Sequence, residues 1–249
     1  MLNRTAIKAE AKDLLRTGKV SPILVSALLL LITFFTSCLT DLVSGGSLFY
    51  TLQLQLADLQ GQLNGDYSGY DALLKPVSGT ATFVSVLSML ISCVLHAGYS
   101  RYLMEIRSGR ETSISTLFSG FSQAGKLIWL EILMGIKVAL WSFLFVIPGI
   151  IALYRYRFAV YNLLKDDSLS AGEAIRLSCR QTNGIKGQLF MLDLSFFGWS
   201  LLSLMTLDVL QVWLMPYMGL CDLAYYDDAR FRMNDSGEAD NRSKDPWEL

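Results

Sequence analysis

Residues 22–40 read PILVSALLLLITFFTSCLT, nineteen positions without one charged side chain. That length matches the roughly 20 residues an α-helix needs to cross the hydrocarbon of a bilayer. Ser21-Pro22 supplies the start, a hydroxyl residue at the cap and proline at the first helical position, where its missing N–H costs nothing. Apolar runs recur downstream, at about 80–99, 127–147, 188–206 and 208–226, and 150–164 is apolar apart from Arg155 and Arg157. The expected fold is all-α: a polytopic membrane helix bundle of about six transmembrane spans, the first at about 22–43. These spans form a single integral membrane domain over residues 1–228, followed by a polar cytosolic tail, 229–249. The segment 150–164 is short for a span; it either tilts or turns back part-way. Pro148-Gly149 stands before it as a turn or hinge, because proline cannot continue a helix and glycine permits a reversal.

Composition agrees with a bilayer as solvent. Of the 249 residues 52% are hydrophobic and 17% charged, against roughly 25% charged in an ordinary soluble domain. So little polar side chain would not coat a soluble core of this size. The net charge of −1 argues for no particular partner, nucleic acid included. Cys38, Cys93, Cys179 and Cys221 show no metal-pair spacing and no disulfide framework. Phe35-Thr36-Ser37-Cys38 loosely resembles a lipoprotein cleavage site. Bulky Phe35 stands where a smaller aliphatic is usual, and further spans follow, so the first run reads as a retained span.

The cations set the expected orientation, because cytoplasmic loops of membrane proteins are enriched in Lys and Arg. The N-terminal segment carries five, the 101–126 and 165–186 segments four each, and the tail four. The polar 44–78 segment carries only Lys75. Six spans gather 17 cations on one side and leave 1 on the other; an odd number of spans spoils the separation. The expectation is a plasma-membrane protein with both termini in the cytoplasm and 44–78 as an extracytoplasmic loop. Within that loop Leu52, Leu56, Leu59 and Leu63 repeat with heptad-like spacing. Trp129, Tyr154, Tyr156, Tyr225 and Tyr226 fall where headgroup-level anchors belong.

Three short stretches are amphipathic and are expected on the cytosolic face. In 2–17, Leu2, Ala6, Ile7, Ala11, Leu14 and Leu15 share a face, and Arg4, Lys8, Lys12 and Arg16 fall mostly opposite. In 111–123, Ile114, Leu117, Phe118 and Phe121 form an apolar helical face. In 170–181, Ser170-Ala171-Gly172-Glu173 has the form of a capping box. Such helices lie on a membrane, dock a partner membrane protein, or brace the bundle as a collar.

Three stretches resemble an uncharacterised family of bacterial integral membrane proteins, the domain of unknown function numbered nine-seven-five. They are Leu117-Phe118-Ser119-Gly120-Phe121; Leu140 to Ile151 with its Ile147-Pro148-Gly149-Ile150 core, followed by Tyr154-Arg155-Tyr156; and Leu194 to Trp199 with Pro216-Tyr217 downstream. The chain also resembles the membrane domains attached to some glycerophosphodiester phosphodiesterases. The family resemblance implies a helical membrane fold and no activity.

Catalytic motifs are scarce. The sequence has no Gly-rich phosphate loop ending in Lys-Ser/Thr, no HExxH, no CxxC and no GxSxG. His96 reads as an interface residue, and the pairs Asp166-Asp167 and Asp227-Asp228 as solvated helix caps rather than a metal site. No cofactor is implied. The charges within spans are the better candidates. At 1.5 Å rise per residue, Glu131 lies about 7 Å from Lys126 along its helix, Asp193 about 10 Å from Lys186 and Arg157 about 12 Å from Lys165. Arg155 and Lys137 lie about 15 Å and 16 Å from the same side. Two acids and three bases could therefore meet in the inner leaflet. They form either a pocket for an anionic lipid headgroup or a set of charges that pair with one another. Arg155 and Arg157 diverge by about 200° around a helix, which weakens the pocket. The favoured function is a non-enzymatic membrane protein that handles lipid or scaffolds an envelope complex. A small-molecule or anion transporter is the alternative, and an enzyme acting on lipid headgroups a third.

Overall fold

The computed structural model describes residues 4–17, 21–44, 79–110, 112–206 and 208–235. The polar segment from 45 to 78, with its leucine repeat and Lys75, and the tail from 236 onward lie outside the described residues, as do Leu2 and Lys19. The described residues form helices and turns and contain no strand. In chain order the helices are α1 (Arg4–Thr17), α2 (Pro22–Ser44), α3 (Gly79–Arg107), a 3-10 helix (Ile114–Gln123), α4 (Ala124–Leu144), α5 (Val146–Tyr156), α6 (Ala159–Lys165), α7 (Ala171–Gln181), α8 (Lys186–Met205) and α9 (Gln211–Asp235). Among the described residues four stretches are long and apolar enough to cross a membrane: Pro22–Leu42, Gly79–Arg107, Ile114–Leu144 and Lys186–Met205. The all-α membrane-type architecture read from the sequence is thus present. The segments 150–164 and 208–226 are not among those four.

The chain divides into two compact units, residues 30–92 and the remainder. In the 30–92 unit the described helical residues turn large apolar side chains outward, among them Leu31, Phe34, Phe35, Phe83 and Met89. Its hydroxyls bond back to their own helices: Thr33 to Leu30 O, Thr36 to Thr33 O, Thr40 to Thr36 O and Ser85 to Ala81 O. Polar side chains satisfied in this way suit a helix with no water beside it.

In the larger unit α9 is the central element. Leu214, Leu220, Leu223, Ala224, Tyr225 and Tyr226 are all buried around its circumference. It runs nine residues beyond the apolar stretch 208–226, to Asp235. Pro216 sits inside it and leaves the Val212 carbonyl without its helical N–H. The Ser26 hydroxyl of α2 donates to that carbonyl at 2.6 Å. α1 packs along α9 through buried Ile7 and Ala11. Arg107 at the end of α3 ties both, reaching Glu10 at 3.2 Å and Asp227 at 2.6 Å.

The amphipathic 111–123 stretch is a 3-10 helix rather than an α-helix. With three residues per turn, positions 117 and 120 line up, and Leu117 and Gly120 are the buried pair. Phe118 and Phe121 stack on an outward face, ring centroids 6.5 Å apart. The 3-10 helix lies close against α3 because both contribute glycine. A Cβ on Gly98 would stand 1.8 Å from Leu117 O, and one on Gly120 2.5 Å from Val94 O.

α4 and α5 form an antiparallel hairpin. Its turn falls at Phe145, whose backbone is extended (φ −160°, ψ 151°). Pro148 and Gly149, expected at the turn itself, instead occupy the first turn of α5. Pro148 sits there without penalty, because first-turn N–H groups lack helical partners anyway. Gly149 lets α5 press onto α4, since a Cβ there would meet Ser142 Oγ at 2.1 Å. The hairpin tip is wholly apolar and faces outward, with Phe143 94% exposed. Behind it Ala152, Ala159, Ala171 and Ala174 pack with Leu127, Leu130 and Ile175 into a core joining α3 to α7, where small residues allow helix backbones to approach closely.

Candidate functional site

The apolar 150–164 segment is not one helix. It breaks at Arg157-Phe158, with Phe158 at φ −94°, ψ 0°. A break frees backbone groups that must find partners when buried. One hydroxyl supplies two of them. Ser178 Oγ of α7 accepts from the Phe158 N–H at 3.1 Å and donates to the Arg155 carbonyl at 2.7 Å. The Thr182 hydroxyl adds a longer bond to the same carbonyl at 3.4 Å. α7 holds its own register through the expected capping box, Ser170 with Glu173.

We expect Ser178→Ala to lower stability by about 1–3 kcal/mol, the cost of stranding buried backbone groups, and Thr182→Val to cost much less. Thermal unfolding of the detergent-purified protein checks this. Equal effects from both substitutions would show that Ser178 does not hold the break.

The break aims Arg157 at two other helices. Its Nη1 and Nη2 grip Asp193 of α8 at 2.6 and 2.8 Å, in a bidentate pair. Its Nε and Nη2 reach Asp222 of α9 at 3.2 and 2.8 Å. The Tyr154 hydroxyl donates to Asp193 Oδ2 at 2.8 Å. All three guanidinium nitrogens are therefore engaged by carboxylates, and the cluster carries one net negative charge. An incoming anion would have to displace a carboxylate. Three helices meet here through one side chain, and Arg is suited to it because its planar fork matches two carboxylates at once.

Of the charges singled out in the sequence, Arg157 and Asp193 come together. Glu131 and Lys137 are exposed on α4 and make no ion pair among the described residues. Arg155 contributes its backbone carbonyl to the Ser178 bond. Asp222 completes the cluster and was not singled out. Its signal was an ionisable residue inside the run LMPYMGLCDLAYY, about 7 Å along the helix from Asp227.

A second polar group is buried nearby. The Asn162 and Gln181 amides exchange hydrogen bonds of 2.8 and 3.0 Å, and the Tyr226 hydroxyl donates to Asn162 Oδ1 at 3.1 Å. It ties α6, α7 and α9. The adjacent carboxylates are engaged too. Asp166 accepts from Ser168, Asp167 from Gln123, Asp227 from Arg107, and Asp228 from Arg232. No group of three or more His, Cys, Asp or Glu placed to hold a metal occurs among the described residues. His96 is exposed on α3.

Helices with an apolar exterior and an internal charged clamp define the class: a polytopic α-helical protein compatible with a membrane. Residues 144–232 match the family model DUF975, a protein of unknown function, in agreement with the resemblance read from the sequence. The match covers about a third of the chain and contains Arg157, Ser178, Asp193 and Asp222. No curated protein and no solved structure matches the chain.

Proposed function

We propose that the chain is a plasma-membrane protein that holds anionic lipid and organises its surroundings without turning a substrate over. One observation carries this reading. A groove between α1, α8 and α9 is lined by Leu15, Trp199, Trp213 and Tyr217, with Lys12 and Arg16 at its edge. Trp199 and Trp213 are exposed in it. One turn along α1 the Lys8 ammonium lies over the Phe196 ring, 4.4 Å from its centroid. A stripe of cations beside an aromatic groove has the shape of an anionic phospholipid, phosphate on the cations and acyl chain along the rings. The Arg157 cluster fits a structural clamp better than a ligand site, because its cation is already neutralised. The cytoplasmic placement of both termini belongs to this reading and is supported by the 17-to-1 distribution of cations.

The test is native mass spectrometry from nanodiscs containing phosphatidylglycerol and phosphatidylcholine. We expect retained phosphatidylglycerol on the intact chain. Lys12→Gln with Arg16→Gln should weaken retention by about 2 kcal/mol, roughly 25-fold. Retention that ignores the two cations, or that shows no preference for the anionic lipid, would sink the proposal.

A further inference from the structure

We propose a second, separate site: a cleft between α6, α7 and α9 that binds a phosphate-bearing anion. It is independent of the groove at Lys12 and Arg16. Lys165, Arg176, Arg180 and Arg230 line the cleft, against the carboxylates Asp166 and Glu173. Both carboxylates hold local bonds and have further partners besides. Asp166 accepts from the Ser168 N–H at 3.0 Å and hydroxyl at 2.6 Å, and Glu173 from the Ser170 N–H at 2.8 Å and hydroxyl at 2.7 Å. Arg176 and Arg180 also engage neighbours. Arg230 makes no ion pair among the described residues, and Lys165 lies only distantly over the Tyr226 ring, 5.9 Å from its centroid. The site therefore rests on Lys165 and Arg230, with the other two arginines as the far wall.

The cleft has a built floor. Asn162 and Gln181 are buried and fixed by their mutual bonds, and Tyr226 locks Asn162 from α9. A rigid polar floor beneath converging cations suits a multiply charged oxyanion, which takes several donors at once. A carboxylate would use one arginine and leave the others unmet. Crowding among the cations points the same way. Burial pushes the Lys165 pKa down, Arg230 pushes it further, Asp227 opposes, and Arg110 adds to the lowering. Arg110 approaches from a neighbouring cleft that Lys165 also lines. A seated anion would relieve that repulsion.

The phosphate belongs either to a small soluble compound or to a lipid headgroup. Titration calorimetry of the full chain, stripped of lipid in neutral detergent, with inorganic pyrophosphate at fixed ionic strength separates them. We expect saturable binding. Lys165→Gln and Arg230→Gln should each weaken it on the order of tenfold, whereas Arg230→Lys should retain most of it. Arg230→Lys also keeps the test decisive should a neutral variant elute as aggregate. If pyrophosphate fails in detergent but nanodiscs containing phosphatidate show retention with the same dependence on Lys165 and Arg230, the ligand is a lipid headgroup and the site stands. Binding of neither probe, or binding indifferent to both residues, overturns it. Because the two sites share no residue, failure of one leaves the other testable.

Discussion

Arg157→Met is expected to destabilise the protein by about 3–5 kcal/mol, the cost of leaving a buried charge without its partner. The substitution keeps much of the side-chain length but sets Asp193 and Asp222 facing each other with no cation between them. The three side chains are 20, 30 and 17% exposed. This exposure puts them nearer the buried than the surface regime, where exposed pairs contribute little. A compensated variant separates charge from shape. Arg157→Met with Asp193→Leu and Asp222→Leu replaces the whole cluster by apolar groups and should recover most of the loss. Thermal midpoints and the fraction of monodisperse protein after extraction are the measurements. A single variant as stable as the parent would show the cluster to be solvated. A triple variant no better than the single would show that it specifies packing beyond its charges.

Gly98→Val should abolish folding of the region where the 3-10 helix meets α3. Its Cβ would stand 1.8 Å from the Leu117 carbonyl oxygen and 2.7 Å from its carbon. Backbone cannot swing aside as a flexible side chain does, so the two elements must separate. Overpacking a tight contact costs about 1–3 kcal/mol in ordinary cores, and a backbone collision belongs at or above the top of that range. Gly125→Ala is the matched control. A Cβ there meets nothing within 4 Å, and alanine in a helix is favoured over glycine by roughly 0.5–1 kcal/mol. Yield of folded protein and its melting temperature decide the matter. Equal tolerance of both substitutions would remove the glycine contact as a determinant of the fold.

The sequence displayed the fold class well and the site in fragments, for a definite reason. Helical class, the Ser170-Glu173 capping box and the start at Pro22 are local features, written in consecutive residues. Depth along a helix is also nearly local, which is how Arg157 and Asp193 were matched. Rotation about the helix axis is not local. Glu131 and Lys137 are measured from the same side of the bundle but belong to another face, and no spacing along α4 reveals it. The break at Arg157-Phe158 was equally hidden. Nothing in YRYRF announces it, because the group that stabilises it, the Ser178 hydroxyl, is twenty residues away. The turn at Phe145 was displaced from Pro148-Gly149 for a related reason. Proline is as comfortable in the first turn of a helix as beyond the last turn of the preceding one.

The Arg157 clamp also imposes an order on synthesis. Arg157 emerges from the ribosome 36 residues before Asp193 and 65 before Asp222. At roughly 5–20 residues per second it waits about 3–13 s for its second carboxylate. Before Asp193 is made, inserting the α5–α6 segment into a membrane would carry an unmatched arginine into hydrocarbon, at about 2.5–3.5 kcal/mol. In a membrane chain of the kind proposed, we expect that segment to wait at the lipid surface until α8 and α9 bring its carboxylates.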